Sequence, residues 1–257
     1  MTAVLATDAV SKRFAGIMAL DAVTLEVQPG ERVGLIGPNG AGKTTLFNCI
    51  LGVIPVEVGS VRLNGEDIST LPVHERARRG IGRTFQQIQL FADSSVRDHL
   101  VIARRVNQRG WNWAWVTDLL TLGRPRPEEV ERSDEVLELL GLQDLAEVPV
   151  ERLSLGQGRL LEVARTLMTE PDVILLDEPS SGLDRAETAS LAATLREIQE
   201  EKGFAVLLVE HDIELVSSFT TRSYLLDFGR VLTSGTTPEV MASDEMRVAY
   251  LGTAAAS

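Results

Sequence analysis

Three short stretches hold residues whose types and spacing could do chemistry. The first is GPNGAGKT, Gly37 to Thr44. Its glycines let backbone N–H groups curl around an anion with no Cβ in the way. Lys43 offers a point charge between two phosphates, and Thr44 offers a hydroxyl to Mg2+. The second is VILLDE, Val173 to Glu178, four apolar residues closed by two carboxylates. Asp177 would hold the shell of the metal, and Glu178 would orient and polarise an attacking water. The third is LSLGQGRLLEVAR, Leu153 to Arg165, in which Ser154 and Gly156 precede an amphipathic run. No Asp or Glu lies between Ser154 and Glu162, so the first N–H groups of that helix are expected to be bare. A helix start of that kind is an anion site. The chain therefore carries two phosphate-type sites, and the second needs a reason.

Smaller signals gather around these. Gln86 in RTFQQ follows a predicted strand, where an amide can meet a metal-bound water. His211 follows the apolar strand Ala205–Val209 and Glu210, placing an imidazole at the same end of the sheet as Glu178. It could donate to a terminal phosphate. Phe14 could stack on a base or could equally be a core residue. His74 and His99 lack such context and are expected at the surface.

These residues need a scaffold that brings strand ends together. Ala22 to Gln28, then Pro29-Gly30, then Arg32 to Ile36 read as strands with a turn, and the glycine-rich loop follows. Ser60 to Leu63 with Asn64-Gly65 suggests a hairpin. The runs Val173 to Leu176 and Ala205 to Val209 read as buried parallel strands of an α/β core. Between these regions the character is helical, over Arg97 to Val106 and Glu128 to Leu140. The expected fold is thus an α/β core with a helical segment inserted and no internal repeat. WNWAW, Trp111 to Trp115, reads as packing of that segment on itself in preference to a contact patch for a partner.

Composition narrows the function classes. A chain of 257 residues can bury a substantial core, and 44% hydrophobic with 24% charged residues is ordinary for a globular protein. A net charge of -12 argues against nucleic-acid binding, which needs a basic surface. The single cysteine, Cys49, excludes a disulfide framework or a zinc cluster within one chain and reads as a small buried residue. The opening MTAVLATDAV has no signal-peptide pattern, and no apolar run approaches a membrane span. The protein is expected in the cytoplasm, with any membrane role supplied by a partner.

From about Val4 to Gly252 the chain resembles the ATPase subunit of an ABC transporter. The resemblance rests on the phosphate loop GPNGAGKT, the Q-loop Gln86, the signature LSLGQ, the Walker B run VILLDE, the D-loop SGLD at Ser181–Asp184 and the switch His211, in the family's order. Within the family, GIGRTFQ, VEHD and the ending AYLG look most like ATPase subunits of branched-chain amino acid importers. The resemblance implies a P-loop NTPase core with an antiparallel β subdomain and an inserted helical subdomain. The implied boundaries are residues 1–94 and 167–257 for the core with its β subdomain and 95–166 for the helical part.

The resemblance also implies ATP and Mg2+ as cofactors. Phe14, Gly37, Pro38, Asn39, Gly40, Ala41, Gly42, Lys43, Thr44, Thr45 and Gln86 would line the nucleotide, with Ser154, Gly156, Gln157 and Asp184. Thr44, Gln86 and Asp177 would serve the metal, and Glu178, His211 and Lys43 the chemistry. In this family two ATPase domains pair head to tail, and each ATP lies between one phosphate loop and the other chain's signature helix. The second anion site would then serve the partner's nucleotide. Transmembrane permease subunits would complete the assembly, with this chain peripheral on the inner face of the membrane. The alternative is a soluble ABC ATPase such as one of Fe–S cluster assembly. Two departures stand out. Leu155 replaces the usual glycine of the signature and is expected not to touch phosphate. Gly158 stands where a longer polar residue is common and is expected to loosen the first helical turn.

Overall fold

The computed structural model describes residues 2–84, 94–108 and 125–254. Gln86 and the segment Trp111–Trp115 lie outside the described residues. Two sheets form the framework. The first is antiparallel, in the order β2-β1-β4-β5, from β1 (Leu5–Phe14), β2 (Ile17–Val27), β4 (Val58–Leu63) and β5 (Glu66–Asp67). The Asn64-Gly65 turn joins its last two strands, as the sequence suggests, with both turn residues at positive φ.

The second sheet runs β10-β9-β3-β8-β7-β6. Its strands are β3 (Arg32–Ile36), β6 (Ile81–Arg83), β7 (Val173–Asp177), β8 (Ala205–Val209), β9 (Arg222–Asp227) and β10 (Arg230–Thr236). All neighbours are parallel except the edge pair β9–β10. The unbroken apolar runs are explained by two-sided burial. Val173, Leu175, Leu207 and Val209 enter one core with β1, β2 and α1 (Lys43–Leu51). Ile174, Leu176, Val206 and Leu208 enter the other, shared with the helices.

That second core holds the segment between β6 and β7. It contains α3 (Val96–Gln108), α4 (Pro127–Leu139) and α5 (Leu155–Leu167), preceded in the chain by the short α2 (Val73–Arg78). After β7 come α6 (Arg185–Lys202), α7 (Ile213–Phe219), α8 (Thr237–Ala242) and α9 (Asp244–Ala254). Cys49 is buried on α1, as expected. His99 is not at the surface: it is 1% exposed, with Nδ1 3.0 Å from the Ser95 carbonyl. It lies three residues after Val96 and one before Leu100, on the apolar stripe of α3. Burial pushes its imidazole pKa down. His74 is exposed, as expected.

Candidate functional site

Strand register brings the chemistry to one edge. Leu35 of β3 and Asp177 of β7 both pair with Val209 of β8, so the three strands end together. The phosphate loop leaves β3 at that edge, the two carboxylates end β7, and Glu210-His211 follow β8. Ligands gather at such carboxyl ends in open α/β sheets.

The loop is shaped by backbone. At Gly37, with φ 153°, a Cβ would lie 2.0 Å from the Leu226 carbonyl oxygen. Gly42, with φ 106°, is the N-cap of α1, and a Cβ there would sit 2.7 Å from the Ala19 carbonyl. Neither position admits a side chain without a shift. Pro38 and Ala41 are buried, while Asn39, Gly40 and Thr44 face outward and Thr45 is half-buried. Helix α1 begins with no side-chain cap and no acidic residue in its first turn. Its positive end is left for a ligand. Lys43 is buried, and its ammonium donates to the carbonyls of Gly37 and Pro38 at 2.6 and 3.0 Å. Burial lowers its pKa, opposed by Glu178 and Asp177.

Asp177 is 5% exposed, and burial raises its carboxyl pKa. Arg83 opposes that shift, with Nη2 3.5 Å from Oδ2. Glu178 holds a left-handed backbone at φ 46°, and its N–H donates to the Val209 carbonyl at 2.9 Å. A non-glycine residue with that φ is uncommon and aims the side chain out of the strand line. Its Oε1 stands 3.8 Å from His211 Nδ1, and the imidazole is more than half exposed. Phe14 is 45% exposed, with Lys12 Nζ 5.6 Å from the ring centroid, so it is not a core residue.

The signature helix departs from expectation. The first turn of α5 is not bare, because Ser154 and Gln157 form a capping box. Ser154 Oγ accepts the Gln157 N–H at 3.2 Å, and Gln157 Oε1 accepts the Ser154 N–H at 2.9 Å. The reciprocal S-x-x-Q pattern spells this arrangement. Among the described residues, only the N–H groups of Leu155 and Gly156 in that turn remain without a partner. The helix also runs unbroken through Gly158, whose N–H donates to the Ser154 carbonyl at 2.9 Å. Leu155 is 42% exposed, and its side chain lies against Gly182, where a Cβ would sit 2.9 Å from Leu155 Cδ2. Asp184 is likewise occupied, capping α6 through the N–H groups of Ala186 and Glu187 at 2.8 and 2.9 Å.

The structure thus brings Lys43, Asp177, Glu178 and His211 to one edge. Ser154, Gly156 and Gln157 share no hydrogen bond with the loop among the described residues. Sequence reasoning missed two participants. Glu210 is 0% exposed and accepts from Ser180, His211 and Asp212. Arg159 of α5 donates to the Ser181 carbonyl at 2.9 Å.

Comparisons with known proteins show the family and the fold. The ABC transporter family matches residues 20–181. The high-affinity branched-chain amino acid transport ATP-binding protein BraF of Pseudomonas aeruginosa is 36% identical over 98% of both chains. The ADP conformation of MJ1267, an ATP-binding cassette of an ABC transporter, superposes with a TM-score of 0.85 at 28% identity, covering 98% of this chain and 100% of that one. The dimeric structure of the bacterial ABC transporter cassette MJ0796 gives 0.75 at 27% identity, covering 91% and 98%. The chain belongs to the ABC transporter family, as an ATPase subunit with the ATP-binding cassette fold.

Proposed function

We propose that this ATPase subunit drives a transmembrane permease for branched-chain amino acids or similar small polar solutes. The observation that carries the catalytic part is the convergence of Lys43, Asp177, Glu178 and His211 at one sheet edge, before an uncapped helix start. In this reading the open N–H groups of α1 and Lys43 bind the phosphates of ATP, and Phe14 meets the base. Thr44 and Asp177, with Gln86, would hold Mg2+; a buried carboxylate beside a cationic lysine suits a divalent ion with phosphates. Bound there, the metal would neutralise charge on the phosphates. Glu178 takes the proton of the attacking water, and His211 steadies the terminal phosphate. Ser154, Gly156 and Gln157 face the nucleotide of a second ATPase subunit paired head to tail, with Asp184 at the same junction. The dimeric structure of the MJ0796 cassette supports pairing of two such domains.

The solute class is supported by BraF, whose name assigns it to branched-chain amino acid transport. No helix among the described residues is long and apolar enough to cross a membrane. In this reading the permease is a separate chain. Its docking surface is the apolar cleft of about 630 Å3 walled by Val53, Val73, Ile81, Ile102 and Val106, beside Arg83. The subunit then sits on the inner membrane face, with residues 95–166 as the helical subdomain and the rest as core and β subdomain. Nothing in the fold or in these relatives favours the Fe–S assembly alternative.

Glu178→Gln tests the chemistry. It should keep ATP bound and cut turnover by about 10²-fold or more, the range for a general base. The ATP-bound pair should persist on size exclusion. Near wild-type turnover would remove Glu178 from the role. Purification from native membranes with identification of co-purifying subunits tests the coupling. Recovery without any permease, from membranes that contain the assembled transporter, would defeat it.

A further inference from the structure

Glu210 is a carboxylate with no solvent exposure, and among the described residues its one ion-pair contact is with the His211 imidazole, whose Nδ1 lies 3.7 Å from Oε2. A buried carboxylate is costly unless its acceptor positions are filled. Here they are filled by two loops. Oε1 accepts the N–H and the hydroxyl of Ser180 at 3.0 and 2.5 Å, from the loop after β7. Oε2 accepts the N–H groups of His211 and Asp212 at 3.0 and 3.3 Å, from the loop after β8. A second joint follows one residue on. The Ser181 carbonyl accepts from Arg159 Nη2 at 2.9 Å, and Arg159 is 8% exposed on the signature helix α5. Leu155 of the same helix lies over Gly182.

We infer that Glu210 is a positioning residue that ties His211, in the chain's own catalytic cluster, to the signature helix that serves the other nucleotide. The inference rests on the shared-site reading above. Four hydrogen bonds to one buried carboxylate are strong and directional in a dry setting. The His211 backbone, Ser180–Ser181 and the start of α5 therefore move together or not at all. Each chain contributes to two nucleotide sites, and this joint makes their geometry change in step.

The test separates the two half-sites. Lys43→Ala lacks a working phosphate loop but keeps its signature helix, and Gly156→Asp lacks the signature function but keeps its loop. Mixed, they form one complete site. Glu210→Gln is then placed on the Lys43→Ala chain, whose His211 does no chemistry in that site. A glutamine amide presents a donor where the carboxylate met only donors, so part of the joint opens. Turnover of the mixture should fall about tenfold, a scale set by lost charge-assisted hydrogen bonds. Turnover equal to the parent mixture would overturn the inference and leave Glu210 as a local support of His211.

A measurement on the single chain decides the matter even where the parent mixture is inactive, an outcome that counts only against the shared site. In Glu210→Gln, the backbone amides of Gln157, Gly158 and Arg159 should exchange with solvent about tenfold or more faster than in wild type, with α1 unchanged. Unchanged exchange there overturns the inference. Ser180→Ala removes one hydroxyl donor and keeps the N–H, so it should show both effects more weakly if Glu210→Gln folds poorly. Arg159→Met on the same chain should match the loss, and combining it with Ser180→Ala should add little.

Discussion

Two helix starts in this molecule look alike in sequence and differ in structure. Helix α1 opens after Gly42 with no side-chain cap and no acidic residue in its first turn. Helix α5 opens after Ser154 with the same lack of acid, yet Ser154 and Gln157 satisfy two of its donors reciprocally. Glycine and serine at a helix start therefore do not carry the same meaning. Where backbone geometry excludes a side chain, as at Gly37 and Gly42, the donors stay available to phosphate without help from another chain. Where a serine is followed three residues later by glutamine, the helix first satisfies itself. Only the N–H groups of Leu155 and Gly156 then wait for a ligand. An incomplete site of this kind suits a role that begins only when a second subunit brings its nucleotide.

The largest effect that separates the two starts is Lys43→Ala. It removes the cation that stands on the loop carbonyls of Gly37 and Pro38, and ATP binding by the single chain should fall by about 10²-fold or more. A titration with unchanged affinity would remove the phosphate loop from its role. No change at the α5 start should weaken single-chain binding in this way.

Gly156→Asp comes next and makes the contrast sharper. A Cβ there fits, meeting only Glu187 Oε1 at 3.8 Å; the acid gains from the helix dipole in the first turn and loses some of that gain to the exposed Glu187 carboxylate. The chain should therefore fold and bind ATP through its own loop. Turnover should nevertheless be lost, because like charges about 4 Å apart repel by about 4 kcal/mol at an effective dielectric near 20. Mixing it with Lys43→Ala should restore up to about half of wild-type activity, as one complete site forms per mixed pair. Normal hydrolysis by pure Gly156→Asp would show that α5 completes no nucleotide site.

The same contrast shows what could be read in advance. Strands β3, β7 and β8, the later parts of β2 and β4, the Asn64-Gly65 turn and the cluster at the sheet edge are legible because each is local: apolar runs, turn dipeptides, and residues that follow a strand by one or two positions. Strands β1, β9 and β10 carry no such run. What escaped depends on partners far along the chain. Within the polar run HERARR, Arg76 is 2% exposed. Its guanidinium donates to the carbonyls of Cys49 and Ile50 at 2.8 and 2.7 Å, closing the C-terminal end of α1. Glu210 takes donors from Ser180, thirty residues earlier. His99 hides because one imidazole interrupts an apolar stripe. The capping box is spelled locally by S-x-x-Q, and the lack of acid in the same turn does not leave the helix start bare.

The smallest effect tests whether α5 satisfies itself in solution. Ser154→Ala removes the oxygen that accepts the Gln157 N–H, and lost caps of this type cost about 1 kcal/mol. For a chain of this size the thermal midpoint should drop by about 2–4 °C. Gln157→Ala removes the reciprocal acceptor at Ser154 N–H and should cost a similar or smaller amount. Each bond holds the other in place, so the double variant should lose less than the two single losses added together. ATP binding by the single chain should stay at the wild-type level in all three, because α1 is untouched. Should Ser154→Ala leave the midpoint where it was, the cap is not made in solution, and α5 starts as openly as α1. Gly156 would then sit in a turn with four waiting donors in place of two, and the two helix starts would differ only in which chain supplies the phosphate.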